Sequence, residues 1–255
     1  MIEHFFKIDP RLLDIADAAL GDCRAPFDRI DETAEYNACK VLAAFIDNRV
    51  SESHFTGTTG YGYGDRGRDT LDAVLAQIMG TEDALIRHNF VSGTHAITTA
   101  LFGVLRPGDR MVSLTGAPYD TLQPVIGVVP GGHGSLREFG IQYEQLDLCA
   151  DGTPDYKNVA KAIRGARAAY IQRSRGYTLR ESLHIDEISR LIDAVRAADP
   201  DTVVIVDNCY GEFVEKCEPT QAGADLIVGS LIKNPGGGIA KTGGYIAGRA
   251  DLIEL

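Results

Sequence analysis

Lys233 stands in the segment Ser230-Leu-Ile-Lys-Asn-Pro-Gly-Gly-Gly238, directly after an apolar run and before a glycine tract that no helix tolerates. A lysine crowded by apolar walls or other cations gives up its charge more readily, and a neutral amine is what Schiff-base chemistry requires. Taken alone, the segment reads more simply as a surface lysine in a loop. Two further groups of residues change that balance. Asp207 ends the apolar run Val203-Val-Ile-Val206, 26 residues before the lysine. Ser92-Gly93-Thr94 opens a helical pattern after a strand-like one, so backbone N–H groups and hydroxyls would face an anion such as a phosphate. Judged by itself, that triplet is equally a plain helix cap.

The elements that must position these groups alternate along the chain. Helical periodicity runs through residues 10–50, where Leu12, Leu13, Ile15, Ala16, Ala19 and Leu20, then Ala38, Val41, Leu42 and Phe45, recur at the spacing of a buried stripe. Residues 51–69 form a Gly, Thr and Tyr loop, long enough to suggest function. Beyond it, helices are predicted over 70–79, 94–105, 154–163 and 185–197, and strands over 84–90, 110–114, 141–148, 168–172, 203–207 and 226–229. Such alternation predicts an α/β fold of three layers, α/β/α, with a mostly parallel sheet. In open sheets of this kind ligands bind beyond the carboxyl ends of the strands, where Asp207 lies.

Composition narrows the function classes. The 255 residues are 44% apolar and 24% charged, with 28 Gly and 10 Pro, as in ordinary globular chains. A formal charge of −11 with scattered cations argues against nucleic acid and favours small-molecule partners. The longest apolar runs fall far short of the roughly 20 residues that span a bilayer, which argues against a membrane segment. The first residues lack the basic and apolar regions of a secretory signal, so a cytoplasmic location is expected. Five cysteines, Cys23, Cys39, Cys149, Cys209 and Cys217, without a C-x-x-C pair read as reduced, partly buried thiols, and no metal site is expected.

Five motifs together resemble the fold type I PLP-dependent enzymes, and most closely the methionine gamma-lyase and aluminium-resistance proteins of the cystathionine-lyase group. They are Gly60-Tyr-Gly-Tyr-Gly-Asp-Arg66, His88-Asn-Phe-Val-Ser-Gly-Thr-His-Ala96, Ala117-Pro-Tyr119, Val206-Asp-Asn-Cys-Tyr-Gly-Glu212 and Gly229-Ser-Leu-Ile-Lys-Asn-Pro-Gly-Gly-Gly238. The resemblance implies the large domain of the aminotransferase fold over 61–255, preceded by a helical arm and loop over 1–60, with the family's C-terminal small domain absent. It implies pyridoxal 5′-phosphate as cofactor, joined to Lys233 and paired through its ring nitrogen with Asp207. Ser92, Gly93 and Thr94 would form the phosphate cup, and Ser230 would add a contact to it. Tyr119 would stack on the ring and could act as an acid, although as a buried core tyrosine it would be equally unremarkable. Tyr63 and Arg66 would reach the phosphate of a neighbouring subunit, making the working unit a homodimer or homotetramer.

The function so implied is β- or γ-elimination from a sulfur-containing amino acid. A rival is a domain that holds the cofactor without turnover, because the family's substrate-carboxylate arginine lies in the small domain. Two decoys carry less. Gly62-Tyr-Gly64-Asp-Arg-Gly67 matches a dinucleotide-binding pattern with no strand before it, and Gly236-Gly-Gly-Ile-Ala-Lys-Thr242 resembles a P-loop in which Ala240 stands where glycine belongs.

Overall fold

The computed structural model describes residues 2–59, 61, 63–129 and 133–255. Gly60 and Gly62, which belong to the first motif and to the dinucleotide-like decoy, lie outside the described residues. Two long helices come first, α1 (Pro10–Asp22) and α2 (Arg24–Asp47). Then follow α3 (Arg66–Met79), β1 (Asp83–Arg87), α4 (Gly93–Val104), β2 (Arg110–Ser113), α5 (Gln123–Ile126), β3 (Gln142–Gln145) and α6 (Val159–Ala162). The chain continues through β4 (Ala168–Gln172), α7 (Ile185–Ala198), β5 (Val203–Asp207), β6 (Leu226–Ser230), β7 (Gly244–Gly248) and α8 (Ala250–Glu254).

The strands form one sheet in the order β1-β7-β6-β5-β4-β2-β3. All pairs are parallel except those of β7, which runs antiparallel to both β1 and β6. Along β4 and β5 successive residues point to opposite faces, as a period of two demands. Ala169, Ile171, Val204 and Val206 pack with α3 and α7, while Ala168, Tyr170, Val203 and Ile205 pack with α4 and α8. Both faces are covered, so these strands read as unbroken apolar runs. The three-layer α/β expectation holds.

Several expectations on individual elements need correction. The helix expected over 154–163 shrinks to α6, because Asn158 bonds the side chain and carbonyl of Asp155 and closes a turn there. The strand expected over 141–148 shortens to β3, whose side chains are largely exposed at the sheet edge. Arg66 is not a loop residue but the first residue of α3, whose N-cap Asp65 accepts a bond from the Arg68 N–H. β7 went unseen in the glycine-rich tract, and its glycines are demanded by packing. A Cβ on Gly248 would meet the Asp225 carbonyl at 2.0 Å, and one on Gly244 would meet Ala96 at 3.0 Å.

The apolar stripe of the arm is also not buried as expected. α2 buries only Asn37 and Ala44, and α1 buries no residue. Leu12, Ile15, Leu20, Leu42 and Phe45 remain exposed. The arm is fastened to the rest by Asn37, which donates to the Phe213 and Glu215 carbonyls, and by the Lys216–Glu32 ion pair. Cys209 is buried, but the other four cysteines are exposed, against the expectation of partly buried thiols; all five are free.

Candidate active site

The carboxyl ends of β2, β4, β5 and β6 share one edge of the sheet, and a cavity of about 320 Å³ opens there. It is lined by Ser92, Gly93 and Thr94 from the start of α4, Tyr119 from the loop after β2, Asp207, Ser230 and Lys233. Seven of the nine sequence candidates therefore meet in one place. Tyr63 and Arg66 do not: both are exposed and neither lines the cavity. Lys241 of the P-loop decoy is likewise exposed and outside it.

Asp207 is the last residue of β5 and is 2% exposed. Its Oδ1 accepts from the Cys209 N–H at 3.0 Å and its Oδ2 from the Tyr170 hydroxyl at 3.2 Å. Burial pushes this carboxyl above its ordinary value, against the opposing pull of the Cys209 bonds and the Lys233 charge. A carboxylate so desolvated gains from any cation placed beside it. Tyr170 lies two residues before the end of the neighbouring strand, on the same face of the sheet, and so is aimed at Asp207 by strand alternation.

Ser92 caps α4: its hydroxyl accepts from the His95 N–H at 3.1 Å. The cap reading holds, and the first-turn N–H groups of Gly93 and Thr94, which have no carbonyl within the helix to bond, face the cavity end of α4. Gly93 is required by contact. A Cβ there would lie 3.0 Å from the Ser230 Cβ and 3.2 Å from the Cys209 Sγ. Small residues thus let the helix terminus close directly onto the ends of β5 and β6. Ser230, 1% exposed, sits against this junction, and its Oγ accepts a long bond from the Ile232 N–H.

Tyr119 is held at both ends. Its N–H donates to the Gln172 Oε1 at 2.8 Å, and its hydroxyl is 2.8 Å from the Thr94 Oγ1. Burial pushes the phenol well above its ordinary range, so near neutral pH it is a protonated hydrogen-bond partner rather than a base. Lys233 is half-buried, and its Nζ lies 4.0 Å from the centroid of the Tyr210 ring.

Sequence reasoning missed Tyr170, Gln172, Cys209, Tyr210 and Asn234. Tyr170 and Gln172 were findable, because they alternate toward the face that Asp207 occupies. The others depend on turn geometry that no periodicity reports. A larger cavity of about 440 Å³, between α3, β1 and the loop at 54–55, contains none of the candidates. Among the described residues no group of His, Cys, Asp or Glu is arranged to hold a metal ion, and no helix is long and apolar enough to cross a membrane.

The donors around the cleft fit a phosphorylated pyridine aldehyde: a helix N-terminus for the anion, a buried carboxylate for a ring cation, and an amine for the carbonyl. A family model described as methionine gamma-lyase matches residues 12–255. The Bacillus subtilis (strain 168) protein YnbB, described as uncharacterized, is 52% identical over 228 residues, which are 89% of this chain and 54% of YnbB. L-methionine gamma-lyase of Pseudomonas putida is 27% identical over 189 residues, 72% of this chain and 41% of that enzyme. The structure of a carbon-sulfur lyase involved in aluminum resistance from Clostridium novyi NT superposes with a TM-score of 0.92 at 50% identity, covering 97% of this chain and 59% of that one. The chain thus spans a little over half the length of its more similar relatives.

Proposed function

The chain belongs to the methionine gamma-lyase family, and from that premise we propose that it binds pyridoxal 5′-phosphate through Lys233 and acts as a carbon–sulfur lyase on a sulfur-containing amino acid. The observation that carries this reading is the convergence of Lys233, Asp207 and the α4 N-terminus on one cleft. When bound, the cofactor supplies a protonated ring that accepts the electron pair left at the substrate Cα. The protein's part is to hold and orient. Asp207, fixed by Cys209 and Tyr170, would pair with the ring nitrogen and keep it protonated. Gly93 and Thr94 would present N–H groups to the phosphate, with Ser92 and Ser230 beside them in the cavity lining.

Lys233 would hold the cofactor through its amine and, when that amine is free, would take the substrate Cα proton on its Nζ. Tyr119 would pack beside the ring and donate from a phenol that burial keeps protonated. Elimination of the thiol, followed by hydrolysis of the resulting enamine with one water, would leave a 2-oxo acid and ammonia. The substrates weighed are methionine-like and cystathionine-like amino acids. The exposure of Tyr63 and Arg66 away from their own cleft supports a role for them at a neighbouring subunit's phosphate, in a homodimer or homotetramer located in the cytoplasm.

Absorbance of purified protein with pyridoxal 5′-phosphate, before and after borohydride, tests the linkage. Wild type should show a reducible cofactor band on Lys233, and Lys233→Ala should show none. Adding L-methionine or L-cystathionine and assaying 2-oxo acid then separates turnover from binding alone. An undiminished reducible band in the Lys233→Ala protein would end the assignment.

A further inference from the structure

Contacts that the proposed function does not use latch the end of β5 to the turn carrying Lys233. Tyr210 has φ 68°, in the left-handed region that side chains avoid. Such a residue persists only where its surroundings over-determine it, and it recurs at working sites. Here the determinants are visible. Asn234, the residue after Lys233, donates its Nδ2 to the Tyr210 carbonyl at 3.2 Å and to the Glu212 carbonyl at 2.9 Å. Arg173, 3% exposed, donates its Nη1 to the Gly211 carbonyl and to the Asn208 Oδ1, both at 2.9 Å. No Cβ fits at Gly211, since it would meet the Arg173 Cδ at 2.4 Å. The turn is thereby clamped from both sides, and the Tyr210 ring is left 4.0 Å from the Lys233 Nζ, both residues lining the same cavity as Asp207.

We propose that Tyr210 is a positioning residue for Lys233: its ring face holds the Nζ at the cleft, and the Asn234 latch holds the ring in place. The proposal rests on the reading of Lys233 as the cofactor-linking amine. A lysine head group is a strongly hydrated point charge on a flexible four-carbon stem, so without a partner it samples solvent. The ring face confines that sampling to the cleft, where the aldehyde must arrive and the amine attacks once it has given up its proton. The strained backbone of Tyr210 aims the ring, since an extended conformation at this residue would send the side chain elsewhere.

The test follows formation of the lysine–cofactor linkage, independently of turnover. Cofactor-free protein is mixed with pyridoxal 5′-phosphate, and the borohydride-reducible linkage is timed by absorbance and located by mass. Tyr210→Gly is the informative variant. Glycine adopts φ 68° freely, so the turn survives and the melting temperature should equal or exceed that of wild type while the ring is gone. Linkage should slow by about two- to fivefold in Tyr210→Gly, the modest loss expected of a single positioning contact, and similarly in Asn234→Ala. Tyr210→Phe, which keeps the ring, should link at the wild-type rate. Should Tyr210→Gly lose stability, Tyr210→Leu compared with Tyr210→Phe decides on the same measurement. Linkage at the wild-type rate or faster in the folded ring-less variant overturns the role of Tyr210 alone. A wild-type protein that forms no linkage overturns the cofactor reading, and this proposal with it.

Discussion

The helices of the strand-end cleft and of the N-terminal arm both carry apolar residues at helical spacing, α4 without an Asp, Glu, Lys or Arg and α2 with eight, and they reach opposite states. α4, with 12 residues, buries six of them under the sheet, whereas α2, with 24 residues, buries two. At the cleft each polar group is paired, capped or aimed: Asp207 by Cys209 and Tyr170, Tyr119 by Gln172 and Thr94, Ser92 by His95. Along the arm Phe27, Ile30, Leu42 and Ile46 face outward. A helical period reports that a face is apolar, and only the surrounding layers decide whether that face is covered within the chain. Apolar surface of this extent commonly marks a place where another surface docks.

Substitutions at the two regions should therefore differ in kind. The largest effect is expected at Asp207. Asp207→Asn removes the carboxylate that the ring nitrogen would face, and cofactor affinity should fall by about 150-fold or more, the scale of breaking a buried charge pair at about 3 kcal/mol. Titration of cofactor fluorescence or absorbance measures it, and an unchanged affinity would mean that the cleft's central charge does not face the ligand. Next comes Gly93→Ala. With Ser230 and Cys209 within 3.2 Å of the new methyl, overpacking should cost about 1–3 kcal/mol in urea denaturation and weaken phosphate competition for the cleft.

A third prediction concerns pH. Glu212 is fully buried beneath the cleft, its Oε1 bonded by the Tyr245 hydroxyl at 2.9 Å and its Oε2 without a partner among the described residues. Burial, reinforced by the charges of Glu218 and Asp207, pushes its carboxyl up to about 8 from an ordinary 4.5. The folded chain thus keeps a proton that the unfolded chain releases. Stability should decline as pH rises from about 4.5 and level off above about 8, by at most about 1.4 kcal/mol per pH unit. Glu212→Gln should flatten that slope in denaturation series, and a slope identical to wild type would refute the assignment.

The smallest effect belongs to the arm. Leu42, 61% exposed, should tolerate Leu42→Ser within about 0.5 kcal/mol for the chain on its own. A cost approaching that of Gly93→Ala, growing with protein concentration, would show instead that a second surface covers the arm, and the contrast between the two regions would narrow.

Much of the cleft was legible beforehand because its parts obey local rules. A buried run ending in Asp207, a helix cap at Ser92 and a lysine after β6 each have a pattern of their own, and parallel topology brings their ends together. What stayed hidden depended on three-dimensional packing. β7 was invisible because glycines that look like a loop are the only residues fitting between Asp225, Ala96 and the neighbouring strands. Tyr210 was invisible because nothing in a tyrosine announces a left-handed backbone, which Asn234 and Arg173 impose from distant positions. The arm misled in the other direction, its periodicity suggesting burial that the chain itself does not provide.

The late insertion of β7 between β1 and β6 bears on how the chain assembles during synthesis. Asp83 pairs with Gly248 and Leu226 with the same residue, so two ladders wait on one segment that is made after both of their partner strands. Until that segment leaves the ribosome, β1 and β6 each present an unpaired edge, a state prone to aberrant pairing. A ribosome stalled short of residue 244 would release a chain open along the very seam on which the Lys233 turn rests.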